Sequence, residues 1–181
     1  MMTDQASYEA FLMNHQDMVF STAVRLLGNA AEAEDVTQEV FLRAWNHYSE
    51  LKGSPTGRAW LKTVTRNLCI NHLQRHRARW TLFTDWARED DPEGCVPEIV
   101  GPDPWEPVQL NDEQRHWVEQ ALLKLPDHQR TALVLYHFEE MDYAEIAQHL
   151  GVSLGKVKTD IFRARETLRK KLQPARNSVG V

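Results

Sequence analysis

The stretch from Asp142 to Lys171, DYAEIAQHLGVSLGKVKTDIFRARETLRKK, constrains the fold of this chain more than any other. Asp142 and Glu145 precede an apolar run at the spacing of a capping box, which satisfies the first free amides of a helix. Gly151 falls where a left-handed C-terminal cap is needed. Ser153 is placed to cap a second helix, and Pro174 is expected to end it. Val157, Ile161, Ala164 and Leu168 recur at helical spacing and predict an inner face. Lys156, Lys158, Arg163 and Arg165 project from the rest of that helix. Caps, turn and charge agree on a helix-turn-helix, whose second helix can lie in a DNA major groove. The plainer alternative is a helical hairpin with a solvated basic face.

A net charge of −5 argues against a nucleic-acid partner only as an average. Residues 51–80 carry seven bases and no acid, and residues 151–181 carry eight bases and two acids. Residues 81–113, between them, carry ten acids and one base, and residues 1–50 carry eight acids and two bases. Two basic patches in an acidic chain suggest two places where phosphate backbone is held. The acidic blocks suit basic protein partners or self-shielding of the free protein.

Apolar periodicity supplies the remaining elements. A first helix is expected over about Tyr8 to Leu27, with Tyr8, Phe11, Leu12, His15, Val19, Ala23 and Leu26 facing inward and Gly28 ending it. Asn29 and Glu32 resemble a capping box for a helix from about Ala30 to Tyr48, whose apolar side is Val36, Val40, Phe41, Ala44 and Trp45. After a turn-rich loop, Leu51 to Gly57, a cationic helix runs from about Arg58 to Arg79, with Trp60, Leu61, Val64, Leu68 and Leu73 buried. Residues 81 to about 108 hold five prolines, two glycines and no regular period, which reads as an extended or disordered linker. Beyond it, Asn111 and Gln114 have capping-box spacing for a helix with Trp117, Val118, Ala121, Leu122 and Leu125 inside. Pro126 breaks that helix, and Asp127 begins another through about Phe138, with Leu133, Val134 and Phe138 inward. The expected fold is all-α, in two small helical domains over 1–80 and 111–181, joined by a flexible acidic Pro-rich linker over 81–110.

At 181 residues the length suits one large domain or two small ones. The sequence has no apolar run long enough to span a bilayer, and its polar, acidic start shows no secretory signal. Cys69 and Cys95 are too few and too distant for a disulfide framework, so a reducing cytoplasm is the simplest compartment. Paired carboxylates, a nucleophile triad and a Gly-rich phosphate loop are all missing from the sequence pattern, and catalysis is not expected.

Four segments in order resemble the extracytoplasmic-function sigma factors of bacterial RNA polymerase, over nearly the whole chain outside the linker. AEDVTQEVFLRAW (Ala33 to Trp45) looks like the polymerase-binding helix of that family, and WLKTVTRNLCINHLQR (Trp60 to Arg75) like its −10 promoter-reading helix. LPDHQRTALVLYHFEEMDYAEIAQHLGVSLGKVK (Leu125 to Lys158) looks like its C-terminal domain, and FRARETL (Phe162 to Leu168) like the end of its recognition helix.

The resemblance implies a dissociable specificity subunit that recruits core RNA polymerase to promoter DNA. Asp35, Gln38 and Glu39 would dock on a coiled coil of the largest polymerase subunit, where carboxylates and an amide can pair with arginines. Arg58, Lys62, Arg66, Asn67, Asn71 and Arg75 would track and trap the unpaired −10 strand. Asn71 stands where the family usually has Asp, and LKG replaces an aromatic-basic-Gly start of the loop. Lys156, Lys158, Thr159, Phe162 and Arg163 would read the −35 duplex. Asp160 stands where many members are basic; it either accepts from a cytosine amine or pairs with Lys156 or Lys158. The resemblance further implies an anti-sigma partner, often membrane-anchored, and a linker running near the RNA exit path.

Two readings compete. One is a stand-alone dimeric regulator, which has no need of a basic helix behind an acidic docking helix. The other is a thiol or metal sensor, because Cys69, His72 and His76 share i, i+3, i+7 spacing. With no fourth ligand evident, neither a metal nor any other cofactor is expected.

Overall fold

A computed structural model describes the backbone of residues 2–81 and 112–177, and the side chains of residues 5–76 and 115–172. All regular structure among these residues is helical, as the sequence predicts. The elements are α1 (Met2–Leu27), α2 (Ala30–Asn46), α3 (Tyr48–Leu51), α4 (Gly57–Thr81), α5 (Asp112–Leu123), α6 (Asp127–His137), α7 (Tyr143–Leu150) and α8 (Leu154–Asn177). They fall into two compact units, α1–α4 and α5–α8. The acidic stretch 82–111 and the cap expected at Asn111 lie outside the described residues.

In the first unit α1, α2 and α4 pack pairwise. Val19, Ala23 and Leu26 of α1, Ala33, Val36, Val40 and Ala44 of α2, and Leu61 and Leu68 of α4 form the core. These positions recur at intervals of three, four or seven residues, so each helix turns one apolar stripe inward. Gly28 ends α1 with φ of 70°, a left-handed conformation that costs glycine nothing. α1 starts a turn and a half earlier than expected. No Gly or Pro interrupts that segment, and Tyr48 Oη donates to Ser7 Oγ at 2.7 Å, anchoring the extra turn.

The second unit is built around α6. Residues Arg130 to Leu135 are all buried, so this helix is covered on every side, with α8 and α7 among its neighbours. α8 adds Val157, Ile161, Ala164 and Leu168, each at most 2% exposed, which is the inner face read from the sequence. Pro174 does not end α8, which continues to Asn177. A proline so near the end forfeits one intrahelical hydrogen bond, and its fixed φ is itself helical.

Three aromatic assignments need correction. Trp45, Trp117 and Phe138 were expected inside but are 48%, 45% and 37% exposed. Each sits at the margin of its apolar stripe, where helical spacing alone does not say whether a neighbour covers it. Trp60, expected in the core, is half-buried, with its ring 5.6 Å from that of His47.

Candidate functional site

The local chemistry of the helix-turn-helix forms as the sequence implies. Asp142 Oδ1 accepts from Glu145 N at 2.7 Å, and Glu145 Oε2 accepts from Asp142 N at 3.0 Å, closing the capping box of α7. Gly151 takes φ 64° and ψ 40°, and Val152 N then bonds Ala147 O at 3.1 Å. Ser153 Oγ accepts from Lys156 N at 3.2 Å and opens α8.

On α8 the five residues expected to touch DNA share one arc opposite Val157, Ile161 and Ala164. Lys158 and Arg163 are exposed, and Lys156, Thr159 and Phe162 are half-buried. Thr159 Oγ1 donates to Gly155 O at 3.0 Å. Asp160 points the other way. It is 4% exposed, with Oδ1 3.4 Å from Lys156 Nζ and 3.7 Å from His128 Nε2 on α6. Of its two sequence readings, the structure shows the internal pairing, with Lys156. Arg165, expected to project, instead ties α8 to α6. Its Nε donates to His137 Nε2 at 3.2 Å, and its guanidinium lies 5.3 Å from the centre of the Tyr136 ring.

The first unit carries two further surfaces. Asn29 caps α2 by accepting from Ala31 N at 3.0 Å and Glu32 N at 3.4 Å. Glu32, expected to close a capping box there, turns its carboxylate toward α4. Asp35 and Gln38 are exposed, while Glu39 is partly engaged with Arg43 at 2.6 Å. The sequence reading missed their apolar neighbours. Leu42 is 69% exposed one turn beyond Gln38, and with Trp45, Tyr8 and Leu12 it lines an open groove between α1 and α2. The spacing Asp35, Gln38, Leu42 was the available signal, since i, i+3 and i+7 share a helix face. Tyr8 lies at the groove's base and donates to Phe41 O; burial, then the neighbouring Tyr48, raises its pKa above the ordinary 10.0.

The basic and amide residues of α4 form two rows rather than one face. Arg58, Lys62 and Arg66 succeed one another at i, i+4, as do Asn67, Asn71 and Arg75. Arg66 and Asn67 are adjacent, so the rows diverge by about 100° around the axis there. Asn67, Asn71 and Arg75 are exposed, and Arg75 Nε donates to Asn71 O at 3.3 Å. Lys62 and Arg66 are half-buried. Arg58 is exposed at the start of α4, beside a shallow pocket bounded by Phe11, Leu51 and Ser54.

Comparison with known proteins matches both units. The family model "Sigma-70 region 2" covers residues 11–79, and "Sigma-70, region 4" covers residues 115–168. The RNA polymerase sigma-H factor of Pseudomonas aeruginosa is 33% identical over 175 residues, covering 94% of this chain and 89% of that protein. The ECF RNA polymerase sigma factor SigW of Bacillus subtilis is 30% identical over 178 residues, covering 94% and 91%. A solved Bartonella quintana sigma factor, in complex with an anti-sigma factor, is 25% identical with a TM-score of 0.48, covering 92% of this chain and 96% of that one. An all-helical pair of units, with a capped helix-turn-helix in the second and both sigma-70 regions matched, means that this chain belongs to the extracytoplasmic-function branch of the sigma-70 RNA polymerase sigma factors.

Proposed function

We propose that this sigma factor divides its work between its two units, with residues 1–80 and 111–181 as domains and 81–110 as the tether. The arc of α8 that carries Lys158, Thr159, Phe162 and Arg163, opposite the buried apolar row Val157, Ile161 and Ala164, is the observation that carries the reading. Inserted in a major groove, that arc offers cations to guanine and phosphate, a hydroxyl to a base edge, and a ring to a thymine methyl. The −35 duplex is its target. α2 docks on core polymerase through Asp35, Gln38 and Glu39, with Leu42 and Trp45 supplying the apolar part of the contact. Arg58 and the pocket beside it, with Asn67, Asn71 and Arg75 further along α4, hold the unpaired −10 strand.

The chain acts as a non-catalytic specificity subunit in the cytoplasm, and an anti-sigma factor masks its docking faces. No described helix is long and apolar enough to cross a membrane. The test is co-elution with purified core RNA polymerase, comparing wild type with Asp35→Ala/Gln38→Ala/Glu39→Ala. Wild-type binding that the variant loses is expected. Tight, specific duplex binding by the chain alone, with no affinity for polymerase, would replace this reading with a stand-alone regulator.

A further inference from the structure

We propose that Glu32, His72 and His76 form a binding site for one divalent late transition-metal ion, of the class of Zn²⁺, Ni²⁺ and Co²⁺. The three residues offer one donor atom each, and these atoms all lie within 4.8 Å of one another. His72 and His76 are one turn apart on α4 with rings stacked at 4.5 Å, so both imidazoles address the same carboxylate on α2. Glu32 Oε2 lies 3.1 Å from His72 Nε2, and Oε1 lies 3.7 Å from His76 Nε2. A tetrahedral ion with bonds of about 2.05 Å needs donors about 3.3 to 3.4 Å apart, and these separations bracket that value.

An ion pair alone accounts less well for the arrangement. His72 Nε2 is buried with no hydrogen-bond partner despite its 3.1 Å approach to Glu32. The distance suits an ion pair, but the direction does not suit an N–H···O bond. A cation shared by the three donor atoms, which all lie within 4.8 Å of one another, would satisfy that nitrogen. Two imidazoles and a carboxylate are a donor set that zinc and its neighbours accept, with the remaining position left to water on the partly exposed His76 side. Cys69, the third ligand suggested by sequence spacing, is fully buried in the core and is not part of this group. Glu32, some 40 residues away in sequence, takes its place. Occupancy fastens the first turn of α2 to the segment of α4 that carries Asn71 and Arg75. The site stands independently of whether those residues contact DNA.

The experiment is titration of chelator-treated full-length protein with Zn²⁺ by calorimetry and with Co²⁺ by visible absorption, alongside Glu32→Gln, His72→Ala, His76→Ala and, as control, the exposed His116→Ala. Wild type should bind one ion with a tetrahedral Co²⁺ spectrum. Each site variant should lose about 100-fold or more in affinity, beyond the 10- to 100-fold typical of supporting residues. At a hundredfold excess of Zn²⁺ over Kd, the melting temperature of the first unit should rise by about 10–20 °C. Glu32→Gln and His76→Ala change partly exposed groups, so retained helicity by circular dichroism will separate lost ligation from lost folding. No saturable metal binding by wild type, or binding that persists in His72→Ala/His76→Ala, would overturn the site.

Discussion

Asp160 is the residue at which sequence and structure can be separated by experiment. Its side chain is 6% exposed and faces Lys156 and His128, whose side chains are 38% and 30% exposed. Asp160→Ala removes one partner of a pair that is buried on one side only. Breaking a fully buried pair costs about 3–5 kcal/mol and a surface pair about 0–1. Lys156 and His128 can both regain water, which places the loss near 2 kcal/mol. Alanine returns about 0.5 kcal/mol in helix propensity, leaving a net loss of about 1.5 kcal/mol. For a domain of this size that is a fall of about 6–12 °C in the melting of the second unit, read by circular dichroism on the full chain. Relative preference among −35 variants, measured with core polymerase, should not change. Unaltered unfolding together with a selective shift at one cytosine-containing base pair would refute the internal pairing as the role of Asp160.

Other perturbations test the remaining parts. Asp142→Ala opens the capping box and should lower stability by about 1 kcal/mol, seen as a lower urea midpoint with unchanged slope. A Cβ on Gly155 would meet nothing within 4 Å, so Gly155→Ala should stabilise the free protein by about 1 kcal/mol; any destabilisation would contradict the helical geometry there. Lys158→Ala should reduce the salt slope of −35 duplex binding by about 1, whereas Arg165→Ala should lower stability and leave that slope intact, because its guanidinium is held by His137 and Tyr136. The raised pKa of Tyr8 keeps its neutral form in the fold, so its contribution is complete below pH 10.0 and is lost as pH climbs from there through the raised value. Tyr8→Phe should remove that part of the alkaline loss, measured by denaturant unfolding across the alkaline range.

Much of the second unit is legible in the residues themselves. The capping box at Asp142, the left-handed Gly151, the Ser153 cap and the buried set Val157, Ile161, Ala164 and Leu168 all depend on neighbours within a few positions. Hydrogen bonds to the nearest free amides and the angular spacing of apolar groups are local properties, so a linear pattern encodes them. The all-helical class and the order of the longer helices follow from the same signals, whereas the short α3 was not among the expected elements.

Periodicity fixes the angle of a side chain around its own helix axis and says nothing about what lies across from it. That is why Trp45, Trp117 and Phe138, at the margins of their stripes, read as core and are only partly covered. For the same reason Arg165 read as a projecting cation and is a tie to α6, and Asp160 kept two meanings until His128 and Lys156 were seen beside it. Glu32 read as half of a local cap, and the packing of α2 on α4 sets it against His72 and His76 instead. The sequence by itself determined the helices, their caps and the stripes they bury. Only the tertiary structure decided which charged groups meet, because those meetings join residues far apart in the chain through helix packing that no local spacing records.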